Sequence, residues 1–282
     1  MMPNGGAVAF ALNHITCSRQ DHEGLARMAR QLGLTAVELR NDISGVALAD
    51  GTPPTQVAAA LDIAGQRALS VNALQRFNDW NDERAAEAGS LAAAARAAGA
   101  TTLVLCPVNV AGYWTDEGER LRALRAALAA LKPVLDRHGL TGLVEPLGFK
   151  ISSLRRKREA IDAIDAVDGA GTYRLLHDTF HHAIARDTDF YPERTGLVHI
   201  SAVSAPELAL DDMRDEHRVL IDEHDRIDNV GQIATLLSGG YTGFFSVECF
   251  AKNVQEDPAL PEQLRRSIAF IKGRLAPTTS TT

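Results

Sequence analysis

Three cysteines in 282 residues, Cys17, Cys106 and Cys249, are too few and too scattered to build a disulfide framework. No two form a C-x-x-C pair and the total is odd, so the chain reads as a protein of a reducing compartment, the cytoplasm by default, and an all-thiolate structural zinc site is excluded. Positive charge is also short. With 29 lysines and arginines against 36 acids, the formal net charge is -7 and the pI is near 5.7, which supplies no electrostatic footprint for nucleic acid. No run of about 18 apolar residues is present to span a bilayer, so no membrane role is expected. The opening MMPNGGAVAFALNH has no basic stretch ahead of its apolar segment, so it reads as a first strand and not as a signal peptide. Glycine is missing where a dinucleotide-binding fold would want it: ALNHITCS, which follows the first apolar run, contains none.

What is present is a regular alternation. Short apolar runs predict eight strands at Val8–Leu12, Ala36–Leu39, Ala68–Ala73, Thr102–Cys106, Gly142–Val144, Tyr173–Leu176, Leu197–Ser201 and Phe244–Val247. Amphipathic, alanine-rich segments lie between them at Asp21–Leu32, Pro54–Gln66, Asn81–Ala98, Asp116–His138, Leu154–Val167 and Asn229–Leu237, with a last helix at Pro261–Leu275. Gly33, Gly65, Gly99, Gly139 and Gly240 follow helical segments and precede strands, where a helix commonly ends in glycine. Parallel strands need right-handed crossovers, and eight strand–helix units close most naturally into a (β/α)8 TIM barrel, a single α/β domain over residues 5–275 with a disordered tail at 276–282. A doubly wound open sheet is the alternative, weakened by the absent glycine loop.

Four side chains stand where apolar strands emerge: Glu145 after LTGLV, Asp178 after YRLLH, His199 in GLVHI and Glu248 in FFSVE. Buried carboxylates are costly without a counter-charge, and catalytic groups of such barrels come from the C-terminal strand ends. Four on successive strands therefore point to one divalent metal held by three carboxylates and an imidazole. That donor set suits Mn, Mg, Co or Zn. Other polar groups at strand ends are Asn13, His14, Gln75 and Asn109. Glu38 is placed to receive hydrogen bonds from substrate or to pair with Arg40, and Lys150 to meet an anionic or polyol group. Phe77, Trp80, Tyr113 and Trp114 fall in loops that either wall a sugar site or cap the core.

The strings VEPLGF, HDTFHH, VHIS and SVECF, with VELRND on the second strand, resemble the xylose-isomerase-like sugar phosphate isomerase/epimerase superfamily of TIM barrels, most closely its inosose isomerase branch of inositol catabolism. The resemblance spans nearly the whole chain. It implies that Glu145, Asp178, His199 and Glu248 are the metal ligands and that Glu145 and Glu248 exchange a substrate proton. It further implies that His181 and Arg218 hold substrate oxygens. The expected activity is isomerisation or epimerisation of a small-molecule polyol or keto-sugar, an inosose or a ketose, through an enediolate. Oligomeric state stays open. Inosose dehydration is the close alternative, since it begins with the same proton abstraction. A metal-dependent apurinic endonuclease class of the same superfamily relies on early-strand histidines, which NALQRF and CPVNV lack, although Asp215 and His217 are similar to part of its second-metal pattern. A non-catalytic sugar-binding barrel is disfavoured by the complete quartet. The chain departs from the family in HRVLIDEHDRIDN, which has no Pro-Gly-x-Gly turn after Arg218.

Overall fold

A strand that is apolar on both faces needs cover on both, and a helix returned over each strand provides it on one side while closure of the sheet provides it on the other. The computed structural model describes residues 8–45, 48 and 51–276, and it follows that solution. Strands β1 (Ala9–Asn13), β2 (Ala36–Arg40), β3 (Arg67–Leu74), β4 (Thr102–Leu105), β5 (Thr141–Val144), β6 (Tyr173–Asp178), β7 (Thr195–Ile200) and β8 (Phe244–Val247) are parallel, pair in sequence order and close into a barrel. Closure is made by β1 on β8, with Ala9 opposite Phe244 and Leu12 opposite Val247.

Among the described residues the helices are α1 (His22–Gln31), α2 (Pro54–Ala64), α3 (Asp82–Ala97), α4 (Glu117–His138), α5 (Lys157–Asp165), α6 (Thr179–Ala185), α7 (Asn229–Ser238), α8 (Lys252–Gln255) and α9 (Leu260–Leu275). None is long and apolar enough to cross a membrane. The five glycines expected at helix ends all take positive φ, between 61° and 91°. The expected (β/α)8 barrel is present, and its strands differ from expectation by a few residues: β6 runs on to Asp178 and β7 begins at Thr195. Helices α6 and α8 were not anticipated, being seven and four residues long and too short to carry a period. Residues 277–282 of the expected tail, and those before residue 8, lie outside the described residues.

Two apolar layers follow from the period-2 alternation of a strand. One set, Leu103, Leu105, Val144, Leu175, Val198 and Ile200, joins the large core under the helices. The alternate set, Val104, Leu143, Leu176 and Leu197, forms a small separate cluster inside the barrel with Ala73 and Cys106. Helix α4 buries Leu124, Leu128, Leu131 and Leu135 against the outer layer, each contributing about 1.5–3 kcal/mol. The Tyr173 hydroxyl ties β6 to α4 by donating to the Leu128 carbonyl at 2.6 Å.

Candidate metal centre

The same parity that sends Leu143, Leu176 and Leu197 inward sends the residues two further along inward as well, one layer closer to the mouth. Those residues are Glu145, Asp178 and His199, and Glu248 follows the buried Ser246 of β8 in the same way. The strand ladders continue far enough to hold them, since the Glu145 N–H donates to Leu105 O at 3.1 Å and the Glu248 N–H to Ile200 O at 3.0 Å. All four are buried, and one donor atom from each lies within 4.8 Å of the others. A tetrahedral cation with ligand bonds of roughly 2.0–2.2 Å holds its donors about 3.3–3.6 Å apart, so the set would draw together by about 1 Å to enclose one.

His199 decides whether a metal fits. Its Nε2 lies 3.1 Å from the Glu38 carboxylate, while its buried Nδ1 has no hydrogen-bond partner. Facing that Nδ1 are oxygens of Glu248 at 3.1 Å, Glu145 at 3.4 Å and Asp178 at 3.9 Å. Donor atoms converging in this way form a group that could hold a metal ion. Burial alone would lower the basicity of His199, but the carboxylates of Glu248 and Glu38 overcome it and push its pKa well above the ordinary value. Charge balance gives the same answer. Four carboxylates, Glu38, Glu145, Asp178 and Glu248, are at most 4% exposed, against two buried guanidinium groups, Arg40 and Arg218. With His199 protonated the cluster carries one negative charge in excess, and a divalent ion in place of that second imidazole proton would bring it to neutrality. Three oxygens and one imidazole suit Mn, Mg, Co or Zn.

The two arginines are held firmly. Arg218 donates to Ser201 Oγ at 2.8 Å, Asp215 at 3.2 Å, Asp178 at 2.6 Å and Glu248 at 2.8 Å. Arg40 donates to Asp42 through two nitrogens and to Glu248 at 3.0 Å. Both guanidinium groups pack over the Phe250 ring, at 5.5 and 4.8 Å. Glu248 also accepts from Asn13 and Asn72, each at 3.2 Å. Burial pushes its carboxyl up, yet His199 and Arg218 hold it far below the usual carboxylate range. Glu145 is more sparsely bonded, its only donor by hydrogen-bond geometry among the described residues being the Cys106 thiol at 3.3 Å. Burial and the Glu145 charge raise that thiol well above its ordinary value and keep it protonated.

A pocket of about 240 Å³ opens over the quartet, bordered by Gln75, Glu145, Phe149, His181, Arg218 and Glu248 among others. Of the four proposed ligands, only the two glutamates reach its wall. His181 borders it too, with an unpartnered buried Nδ1 and its ring edge-on to Phe149 at 5.1 Å. Its position follows from α6: Asp178 caps that helix by accepting the His181 N–H at 2.9 Å. The other two histidines of HDTFHH face elsewhere, His177 onto Gln232 at 3.0 Å and His182 onto Lys157 at 2.5 Å. Gly148 explains part of VEPLGF, because a methyl at that position would collide with the His181 carbonyl and Ile184.

Other expectations require correction. Glu38 is fully buried behind His199, accepting also from Asn13 at 3.2 Å and Ser70 at 2.6 Å, and it neither reaches the pocket nor pairs with Arg40. Lys150 lies outside the central pocket and pairs with Asp211 at 2.7 Å. His14 turns to the Gln20 carbonyl at 2.8 Å, Asn13 lies beneath the quartet, and Gln75 and Asn109 do border the pocket. Phe77 is core, Trp80 packs on it, and Tyr113 meets Trp114 edge-on at 4.6 Å. Phe149 and Phe250, which sequence reasoning passed over, are the aromatic walls. Asp215 is bonded to Arg218, and His217 accepts the Arg214 N–H at 2.9 Å. Among the described residues, no second group of three metal-donor side chains gathers.

A sequence profile of the xylose isomerase-like TIM barrel matches residues 26–274. The chain belongs to that family. No curated protein matches it by sequence. Among solved structures, a xylose isomerase domain-containing protein from Salmonella typhimurium LT2 is 28% identical with a TM-score of 0.87, covering 95% of this chain and 99% of that one. The IolI protein with a bound zinc atom superimposes at TM-score 0.83 over 96% and 100% of the two chains, at 16% identity. A D-psicose 3-epimerase from Clostridium cellulolyticum H10, solved with D-tagatose, gives 0.74 over 95% and 99% at 15% identity. These last two likenesses show a shared barrel fold.

Proposed function

We propose that the chain is a metal-dependent isomerase or epimerase of a keto-polyol, an inosose or a ketose, which moves a proton on the carbon beside the carbonyl. The observation that carries this reading is the division within the quartet: Asp178 and His199 are withdrawn from the pocket, while Glu145 and Glu248, from strand ends three staves apart, both border it. Family membership and the zinc bound by the IolI protein support it, as does the sugar held by the psicose epimerase.

When bound, the divalent ion supplies Lewis acidity that polarises the carbonyl and lowers the cost of the enediolate charge. The protein residues divide the rest. Glu145, which receives one thiol hydrogen bond and borders the pocket, takes the α-proton. Glu248 is held ionised by Asn13, Arg40, Asn72 and Arg218, so it first takes a proton from water and then returns that proton to the opposite face. His181 meets a substrate hydroxyl with its free Nδ1, and Phe149 and Phe250 exclude water beside it. Arg218 fixes Asp178 and Glu248 in place.

The test is solvent exchange in D2O at saturating metal, with a panel of inososes and ketoses followed by NMR. Glu145→Gln and Glu248→Gln should each lower turnover by about 10²-fold or more. Glu145→Gln should also abolish deuterium wash-in to unreacted substrate, which Glu248→Gln should retain. Fully metallated variants that turn over and exchange at the wild-type rate would refute the two-carboxylate mechanism.

A further inference from the structure

The central pocket is small for a complete ligand site. Its roughly 240 Å³ falls short of the ~300–1,000 Å³ usual for small-molecule sites. It does not end there. A second pocket of about 420 Å³ shares Asn109, Phe149 and Asp215 with it, and the two taken together lie within the usual range. Phe149 stands at the junction. Beyond the second pocket, Lys150 and Ile151 lead into a third hollow of about 280 Å³ that ends at the Tyr113–Trp114 pair. Four large apolar side chains are exposed among the described residues, and three of them, Val110, Tyr113 and Ile151, border this outer groove.

The walls of the second pocket say what fits. Ile151, Ile184, Leu210 and Met213 give it an apolar side, while Asn109, Lys150, Asp211, Arg214 and Asp215 give it hydrogen-bonding groups. The mixture matches a hydroxylated ring, which presents C–H faces and polar edges together. Electrostatics disfavour an anion. Two basic side chains in the wall are balanced by two acids, and Asp211 already holds Lys150 at 2.7 Å and Arg186 at 2.9 Å. Arg218 at the junction is engaged by Asp178, Glu248 and Asp215. Arg214 alone lacks a carboxylate partner in the ion pairs of this pocket, and it donates to the main-chain carbonyls of Asp211 and Met213.

We infer that the substrate is larger than one keto-sugar ring: a neutral, unphosphorylated keto-sugar bearing a second hydroxylated ring, which occupies the pocket walled by Phe149, Ile184 and Leu210. The inference rests on the keto-polyol reading for the first ring. Lys150, expected to touch substrate, then does so here, at the second ring.

The test compares binding and exchange separately. Metal-loaded protein is titrated with the keto-disaccharides isomaltulose and lactulose, with D-fructose, and with D-fructose 6-phosphate, by calorimetry or saturation-transfer NMR. At least one disaccharide should bind about tenfold or more tightly than fructose and than the phosphate. Leu210→Trp, which fills the second pocket, should collapse that ratio to near one, and Ile151→Ala should lower it in part. A ratio near one in the wild type, tightest binding of the phosphate, or an undiminished ratio in Leu210→Trp overturns the inference, as does failure of every probe to bind. Deuterium wash-in from D2O is read on the same samples. Selective binding with no wash-in from any ketose leaves the second-ring site standing and sinks the isomerase reading, whereas wash-in without selectivity does the reverse.

Discussion

Removing the charge of Glu38 while keeping its shape is the sharpest probe of the metal centre, because His199 is the one proposed ligand that Glu38 contacts directly, Asn13 providing a weaker link to Glu248. The carboxylate is fully buried and receives three donors: Asn13 at 3.2 Å, Ser70 at 2.6 Å and the His199 ring at 3.1 Å. Burial pushes its carboxyl up, but His199 and the hydrogen bonds hold it below the ordinary value, so it is ionised. That arrangement holds a proton on Nε2, so that a metal displacing the other ring proton would meet the Nδ1 lone pair on the quartet side. In Glu38→Gln one carbonyl oxygen must serve three donors, and an amide NH2 is turned against one of them. Outer partners of this kind are worth about 10–100-fold in metal affinity, or about 1.4–2.8 kcal/mol. The assay is competition for Zn2+ and Mn2+ against a chromophoric chelator, with the fold verified by circular dichroism. Glu38→Asp, which keeps the charge but draws it back by one methylene, should fall between the two. A Gln variant that binds metal within threefold of wild type refutes the claim that Glu38 sets the imidazole.

Three further outcomes are expected. Each of Glu145→Gln, Asp178→Asn, His199→Ala and Glu248→Gln should lower metal content from about one ion per chain by elemental analysis, and wild-type content in all four would mean the site is misassigned. Arg218→Met removes a buried counter-charge and should cost about 3–5 kcal/mol in urea unfolding of metal-free protein, with a smaller loss at saturating metal; equal losses would contradict its role in balancing the carboxylates. Burial, then Lys157, lowers His182 from 6.5 to about 4, so the unfolded chain takes up the proton first and stability falls as pH drops from about 6.5 to about 4; His182→Gln should flatten that slope of the melting temperature.

The barrel was legible because its signal is repeated. Eight apolar runs and the glycines after the helices all point one way, and no single misread boundary changes the topology. The quartet was legible for a related reason, since Glu145, Asp178, His199 and Glu248 each break an apolar run at the place where parity turns them inward. What was not legible depends on contacts between distant loops. Glu38 looked like a pocket residue because it lies near the end of β2, yet His199, 161 positions away, covers it. Lys150 follows β5 but swings to Asp211, which the sequence places on a loop with no visible period. Helix α6 is too short to read from apolar spacing, and its cap, Asp178, had already been assigned to the metal.

That double use of Asp178 links the fold to the chemistry. One oxygen accepts the His181 N–H and starts α6; the other meets Arg218 beside the quartet. The carboxylate cannot rotate toward solvent without uncapping the helix, which would cost about 1 kcal/mol and release His181 from the pocket wall. Asparagine caps as well as aspartate, so Asp178→Asn keeps α6 while it withdraws the charge and puts an NH2 in place of the oxygen that meets Arg218. Any loss of metal in that variant therefore comes from the lost charge and donor oxygen and not from the cap, while loss of the cap belongs to Asp178→Ala. A carboxylate anchored in this way is preorganised by secondary structure, and the same helix places His181, with its unpartnered Nδ1, at the pocket wall.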